Sequence, residues 1–245
     1  MDTSQSASAF TAKWQDRWPE WRIAQVFVAP SQHAVALAWF ALRQELLDAA
    51  WAGSDPRPGE AKLGWWAEEL LGWTQGRRRH PLGIVLQRTS AAWSPLATAA
   101  IALAATREPA RDADEAILRL TPFAEAAIAI DAALLASPQP ASATAVVAGL
   151  LCEQIVLLGD AAAPLQLRAR QAAAVAGHLI AEQAVARAWA GEVLQRWPPH
   201  GGSRAGRILA ALERQRLARF AAGQAAFGPV PRWPTLWTAW RAARG

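Results

Sequence analysis

Tyrosine is absent from the 245 residues, and Lys13 and Lys62 are the only lysines, so the remaining basic side chains are arginines. Cys152 is the single cysteine, which excludes a disulfide framework and a cysteine-based metal site and suits a reducing cytoplasm. There is no P-loop, no GxGxxG within a strand-bearing unit, no HExxH and no CxxC. His33, His80, His178 and His200 are scattered, none paired with another at helical ligand spacing. The start, "MDTSQSASAF", lacks a basic stretch followed by an apolar one, so no signal peptide is expected. The longest apolar runs, such as "PLATAAIALAAT", look too short to span a bilayer. These absences describe a cytoplasmic protein, soluble or at most peripheral to the inner face of a membrane.

Charged residues are few, at 18%, and hydrophobic ones make up 53%, a balance that folds rather than stays disordered. The net charge of +5 favours anionic partners such as phosphates or an anionic membrane surface. No nucleic-acid signature accompanies it, so no nucleic acid is expected. The densest basic run, "GRRRHP", reads as a solvated helix end.

No run alternates apolar with polar residues in the manner of a strand. No fixed-period repeat or long linker divides the chain, so residues 1–245 read as a single all-α domain, a large helical bundle. Ala, Leu, Glu, Gln and Arg fill the segments between Pro and Gly breaks. Helices are predicted at 11–28, 31–52, 59–75, 81–88, 91–106, 112–118, 121–136, 141–159, 164–176, 178–196, 204–222 and 232–243. Ser31, Thr121-Pro122 and Ser203 look like N-terminal caps. The helices over 91–106, 122–136 and 143–159 are apolar around most of their circumference and belong at the centre of a bundle. A bundle of this size often encloses a ligand cavity.

One stretch carries an ambiguous chemistry. Gln44-Glu45-Leu46-Leu47-Asp48 sets a carboxamide and two carboxylates on a helix. Acids four apart share a helix face and can hold magnesium. The same pattern also suits a solvated helix edge with Leu46 and Leu47 in the core.

The order of segments is more informative. "RIAQVFVAPSQHAVALAWFALRQELLDAA" is followed by "KLGWWAEELLGW" and "RRRHPLG", then by "TAVVAGLLCEQIVLLGD" and "AGHLIAEQAVARAWAGE". Over residues 20–220 this order resembles the squalene/phytoene synthase family of terpenoid and carotenoid biosynthesis. Its members join prenyl diphosphates head to head on an isoprenoid-synthase fold. The resemblance implies a central cavity flanked by two aspartate-rich motifs holding Mg²⁺.

The first motif falls on Arg43 to Asp48. Gln44 takes the place of the leading aspartate and Asp48 keeps the acid four residues on; a shifted register aligns Glu45 but leaves Ala49 opposite. The second falls on residues 177–192. Gly177 and Arg187 match, Ala181 replaces a glutamine, Ala188 replaces the first aspartate and Glu192 the second. One acid is thus missing from each motif, and the expected tyrosine is missing too. Asp48 and Glu192 are the residual metal candidates, but no metal or other cofactor is expected unless the chain is an active Mg²⁺ enzyme. Arg43, Lys62, Trp65 and Trp66 are the cavity or substrate candidates. Trp65 and Trp66 point about 100° apart, so at most one faces a cavity. Lys62 is also placed to pair with Glu68 or Glu69.

Three readings follow. The first is a pseudoenzyme that binds an isoprenoid or lipid ligand or serves as an accessory factor for a protein partner, as silent relatives that assemble respiratory complex I do. The second is an active prenyltransferase condensing two prenyl diphosphates. The third is an interaction module that docks through its Trp-rich termini, "WQDRWPEWR" and "RWPTLWTAWR".

Overall fold

Ala, Leu and Arg between Pro and Gly breaks produce helices and no strand among the described residues. The computed structural model describes residues 3–87, 90–137, 139–174, 183–199 and 201–245, with the backbone alone for 3–6. The α-helices are α1 (Thr3–Arg17), α2 (Pro19–Ala24), α3 (His33–Trp51), α4 (Arg57–Thr74), α5 (Gly83–Leu86) and α6 (Trp93–Ala102). They continue with α7 (Ala113–Leu135), α8 (Ala143–Leu158), α9 (Leu165–Ala174), α10 (Ala184–Gln195), α11 (Arg204–Ala221) and α12 (Arg232–Arg244). Short 3-10 turns occupy Gln25–Phe27, Pro30–Gln32, Leu103–Arg107 and Gly159–Ala162.

The predicted boundaries need three corrections. The 11–28 segment is α1, α2 and a 3-10 turn, divided at Trp18-Pro19, because proline cannot donate to the preceding turn. Ser31 lies inside a 3-10 turn, and α3 begins at His33 with no side-chain cap. Thr121-Pro122 starts nothing: α7 runs through both residues. Its true cap is Asp112, which accepts from the Glu115 amide at 2.9 Å. Pro122 removes one backbone donor, while the Thr121 hydroxyl donates to the Ile117 carbonyl at 2.8 Å. Leu120, Phe123 and Ala124 are buried on either side of the break, and that burial offsets the roughly 3 kcal/mol penalty of an interior proline. The Ser203 cap is present, accepting from Gly206 N at 3.0 Å.

Two helices form the centre. α3 is buried from Ala36 to Trp51 except at a few positions and packs on α1, α4, α7 and α8. α8 packs on α3, α7, α10 and α11. With its 3-10 continuation, α8 is long and apolar enough by composition to cross a membrane, contrary to the reading that every run was too short. Here 67% of that span is buried inside the bundle, which gives its apolar surface a place. A single cluster of buried residues runs from Trp14 to Ala239.

Tryptophan supplies much of that cluster. Trp14, Trp18, Trp21, Trp39, Trp51, Trp66, Trp73, Trp93 and Trp189 are buried. The tryptophans of the N-terminal "WQDRWPEWR" are therefore core, which leaves them no free ring face for docking, while Asp16 and Arg22 are exposed. Trp14 meets Trp21 edge-on at 5.6 Å, and both rings pack against Phe40 of α3.

A candidate site built on α3

Four residues of QELLD are buried, and Asp48 is partly exposed. Leu46 and Leu47 are buried, Gln44 is 5% exposed and Glu45 4%. The side chains of Gln44, Glu45 and Asp48 each have partners. The Gln44 carboxamide donates to Asp48 Oδ1 at 2.8 Å and to Glu153 Oε2 at 3.3 Å. Arg17 of α1 donates to the same Glu153 oxygen at 3.0 Å and lies 3.5 Å from Asp48 Oδ1. Glu45 is held between two ammonium groups, Lys13 on Oε1 and Lys62 on Oε2, each at 2.6 Å. Lys13 also reaches Asp48 at 3.5 Å. Burial disfavours charge on Glu45, but the two lysines outweigh it and hold the carboxyl below its ordinary range. The only two lysines in the chain thus converge on one acid, and Lys62 pairs with Glu45 rather than with Glu68 or Glu69.

Next to Gln44 in the chain, Arg43 lies near a second buried group. Its guanidinium lies 3.8 Å from Glu213 of α11. Burial pushes the Glu213 carboxyl up to about 7, with Glu153 adding repulsion and Arg43 and Arg216 opposing. Burial likewise raises Asp131 of α7, against donors from Ser203 and Trp39 and the charge of Arg43. Gly149 of α8 makes room for Glu213, since an added Cβ would overlap the carboxylate. Two small cavities adjoin these groups. One of about 30 Å³ is lined by Trp39, Arg43, Asp131 and Glu213; one of about 10 Å³ lies beside Trp18, Gln44 and Glu153. The larger has room for about one water molecule. Trp14, Trp18, Phe40 and Leu47 line the smaller space.

Trp65 and Trp66 pack against His80 of "RRRHP", with ring centroids 5.9 and 4.4 Å away. Trp66 is buried, while Trp65 is partly covered by the Arg79 guanidinium at 5.3 Å. Burial drives the His80 imidazole down to about 4, against the attraction of Glu69 and Glu45. Glu69 ties the turn down by accepting from the Arg79 and His80 amides, each at 2.7 Å, and from Trp73 Nε1 at 2.8 Å. Trp65, Trp66 and His80 form a packed corner, while Glu69 and Arg79 line a cleft of about 440 Å³ with Gly72, Gln75 and Arg77.

The second candidate stretch lies elsewhere. Arg187 of α10 stacks over Phe220 at 5.9 Å, Ala188 packs partly buried on the core, and Glu192 pairs with Arg170 at 2.8 Å. Glu192 lines an outer cleft of about 480 Å³ with Asp112, Asp114, Gln166 and Arg196. Among the described residues no hydrogen bond or ion pair joins 187–192 to 43–48, and no group of three or more His, Cys, Asp or Glu side chains is arranged to hold a metal ion. Gly177, Ala181, His178 and His200 lie outside the described residues.

Several members of the α3 network were not singled out in the sequence. Glu153 could have been, as the lone acid inside "VVAGLLCEQIVLL", where an unpaired charge would be costly. Arg17, Asp131 and Glu213 carried no comparable signal, and Lys13 stood out only as one of two lysines. Comparison of the chain with models of protein families, with curated proteins and with solved structures finds no match. The functional reading therefore rests on the geometry and on the order of segments.

Proposed function

We propose that the chain is a catalytically silent squalene/phytoene synthase-like protein of the isoprenoid-synthase type, working as an accessory or assembly factor. The observation that carries the reading is the neutralised acid row on α3. Metal-assisted departure of diphosphate needs carboxylates that are free to bind Mg²⁺. Here Glu45, Asp48 and Glu153 are matched by Lys13, Lys62, Arg17 and the Gln44 amide. Those cations occupy the positions from which a metal would be attracted. The tryptophans that fill the space beside α3 support the same reading, because they leave little room for a prenyl chain. A lipid or isoprenoid ligand would bind outside that space.

Incubation of the protein with farnesyl or geranylgeranyl diphosphate and Mg²⁺ is expected to give no squalene- or phytoene-type hydrocarbon by gas chromatography. Turnover would establish the prenyltransferase reading instead. Gln44→Asp supplies the missing acid and separates the two readings without an activity assay. The new carboxylate loses both donor bonds and faces Asp48 and Glu153, so the variant is expected to lose about 1–3 kcal/mol of stability. That loss should be the same with and without Mg²⁺. A Mg²⁺-dependent rise of several degrees in the melting temperature of the variant would mean that the metal site is latent rather than lost.

A further inference from the structure

The last helix faces outward with its largest apolar side chains. Thr235 and Ala239, four residues apart, turn into the bundle and are fully covered. Trp233 and Trp237, also four apart, are 80% and 60% exposed. Trp240 and Arg244 continue that stripe at helical spacing. Trp237 and Trp240 stack at 4.7 Å, and the Arg244 guanidinium caps Trp240 at 4.4 Å. Val26, 66% exposed, lies on the 3-10 turn packed beside α12. The helix is seated firmly, because Arg207 of α11 donates to the Ala242 carbonyl at 3.0 Å and to that of Ala243 at 3.3 Å.

Charge is as lopsided as apolarity. Residues 1–213 carry 19 basic and 20 acidic side chains, whereas residues 214–245 carry six arginines and no acid. All of the net positive charge therefore arises in the last 32 residues. Glu20 takes up Arg216 and Arg219. Arg214, Arg232, Arg241 and Arg244 have no ion-pair partner among the described residues, and all four are exposed.

We propose that α12 docks this protein on an anionic lipid surface. Indole rings settle at the headgroup level of a bilayer, and arginines beside them meet lipid phosphates and carboxylates. A row of rings and guanidiniums on an outward-facing helix suits insertion to shallow depth along its whole length. An acidic protein partner fits less well, since Trp233 and Trp237 lie on the open face of α12, whereas the cleft of about 190 Å³ at its C-terminal end is lined instead by Trp197, Pro198, Arg207 and Ala242. The proposal goes beyond catalytic silence and does not depend on it.

The test is co-sedimentation with vesicles of phosphatidylcholine alone and of phosphatidylcholine with about one third phosphatidylserine. Binding is expected to the second and not to the first, and to fall as salt rises. Trp233→Ala/Trp237→Ala and Arg232→Gln/Arg241→Gln are each expected to lower partitioning at least about tenfold. Both should leave the circular dichroism spectrum unchanged, because all four side chains are exposed. No sedimentation with phosphatidylserine vesicles, or binding that both variants retain, would overturn the proposal. So would polyglutamate binding without vesicle binding, which would assign the patch to an acidic polypeptide. A dimer dissolved by the tryptophan variant, in a protein that ignores vesicles, would assign it to a second copy of the chain.

Discussion

Arg216→Met is expected to remove about 3–5 kcal/mol of folding stability, the range for stripping one partner from a buried ion pair. For a chain of this length that lowers the melting temperature by on the order of 10 °C. Arg216 on α11 is only 2% exposed. It donates to Glu20 Oε2 at 2.7 Å and to the Arg17 carbonyl at 2.9 Å, and its guanidinium lies 3.5 Å from the centroid of the Trp18 ring. It therefore fastens α1 and α2 to α11, joining segments almost two hundred residues apart in the chain. Removing it leaves Glu20 buried with Arg219 alone, at 3.2 Å. The double variant Glu20→Leu/Arg216→Met removes both charges and is expected to recover most of the loss. Urea denaturation of the three proteins decides the matter. A single variant within about 1 kcal/mol of the parent would show that the pair does not hold the N-terminal helices.

Glu213→Gln is expected to have the second largest effect, and its sign depends on pH. The folded carboxyl titrates at about 7, against 4.5 for the free group. Between those values the folded protein keeps a proton that the unfolded chain has released, so stability falls as pH rises. The contribution is fully present below about pH 4.5 and is lost as pH passes 7, for a total of about 3 kcal/mol. Burial is the main cause, and Asp131 is shifted by burial in the same direction. Glutamine resembles the protonated acid in shape and cannot ionise. The variant should therefore match the parent near pH 5 and exceed it by about 2–3 kcal/mol at pH 8.5. Denaturation across that interval reads the effect directly. An unchanged slope in the variant would place the titration elsewhere, with Asp131 the first residue to examine.

Whether a residue could be understood from sequence depended on the range of its interactions. Gln44 stood out because it lies next to Glu45 and four residues before Asp48 on one helix, a pattern legible in five consecutive residues. That the acids around it are already neutralised could not be read locally. Lys13 lies 32 positions from Glu45, and Glu153 lies 109 from Gln44. The two Trp-rich termini teach the same lesson. "WQDRWPEWR" and "RWPTLWTAWR" each carry three tryptophans, two arginines and a proline, yet the tryptophans of the first are buried and two of the three in the second are exposed. A tryptophan's burial depends on the face its helix turns to a neighbour, and both segments offer aromatic rings on more than one face.

The sequence by itself determined that the chain is helical and where most of its helices break. Helix propensity and the backbone limits of proline and glycine act within a few residues. Tertiary structure alone decided that α7 continues through Pro122, because core burial on both sides outweighs a local defect. It alone decided that Gln44, Glu45, Leu46 and Leu47 are buried and that the carboxylates of Glu45 and Asp48 are met by lysine, arginine and amide. Charge pairing and burial join groups brought together only when the helices pack, and no local pattern specifies those partners in advance.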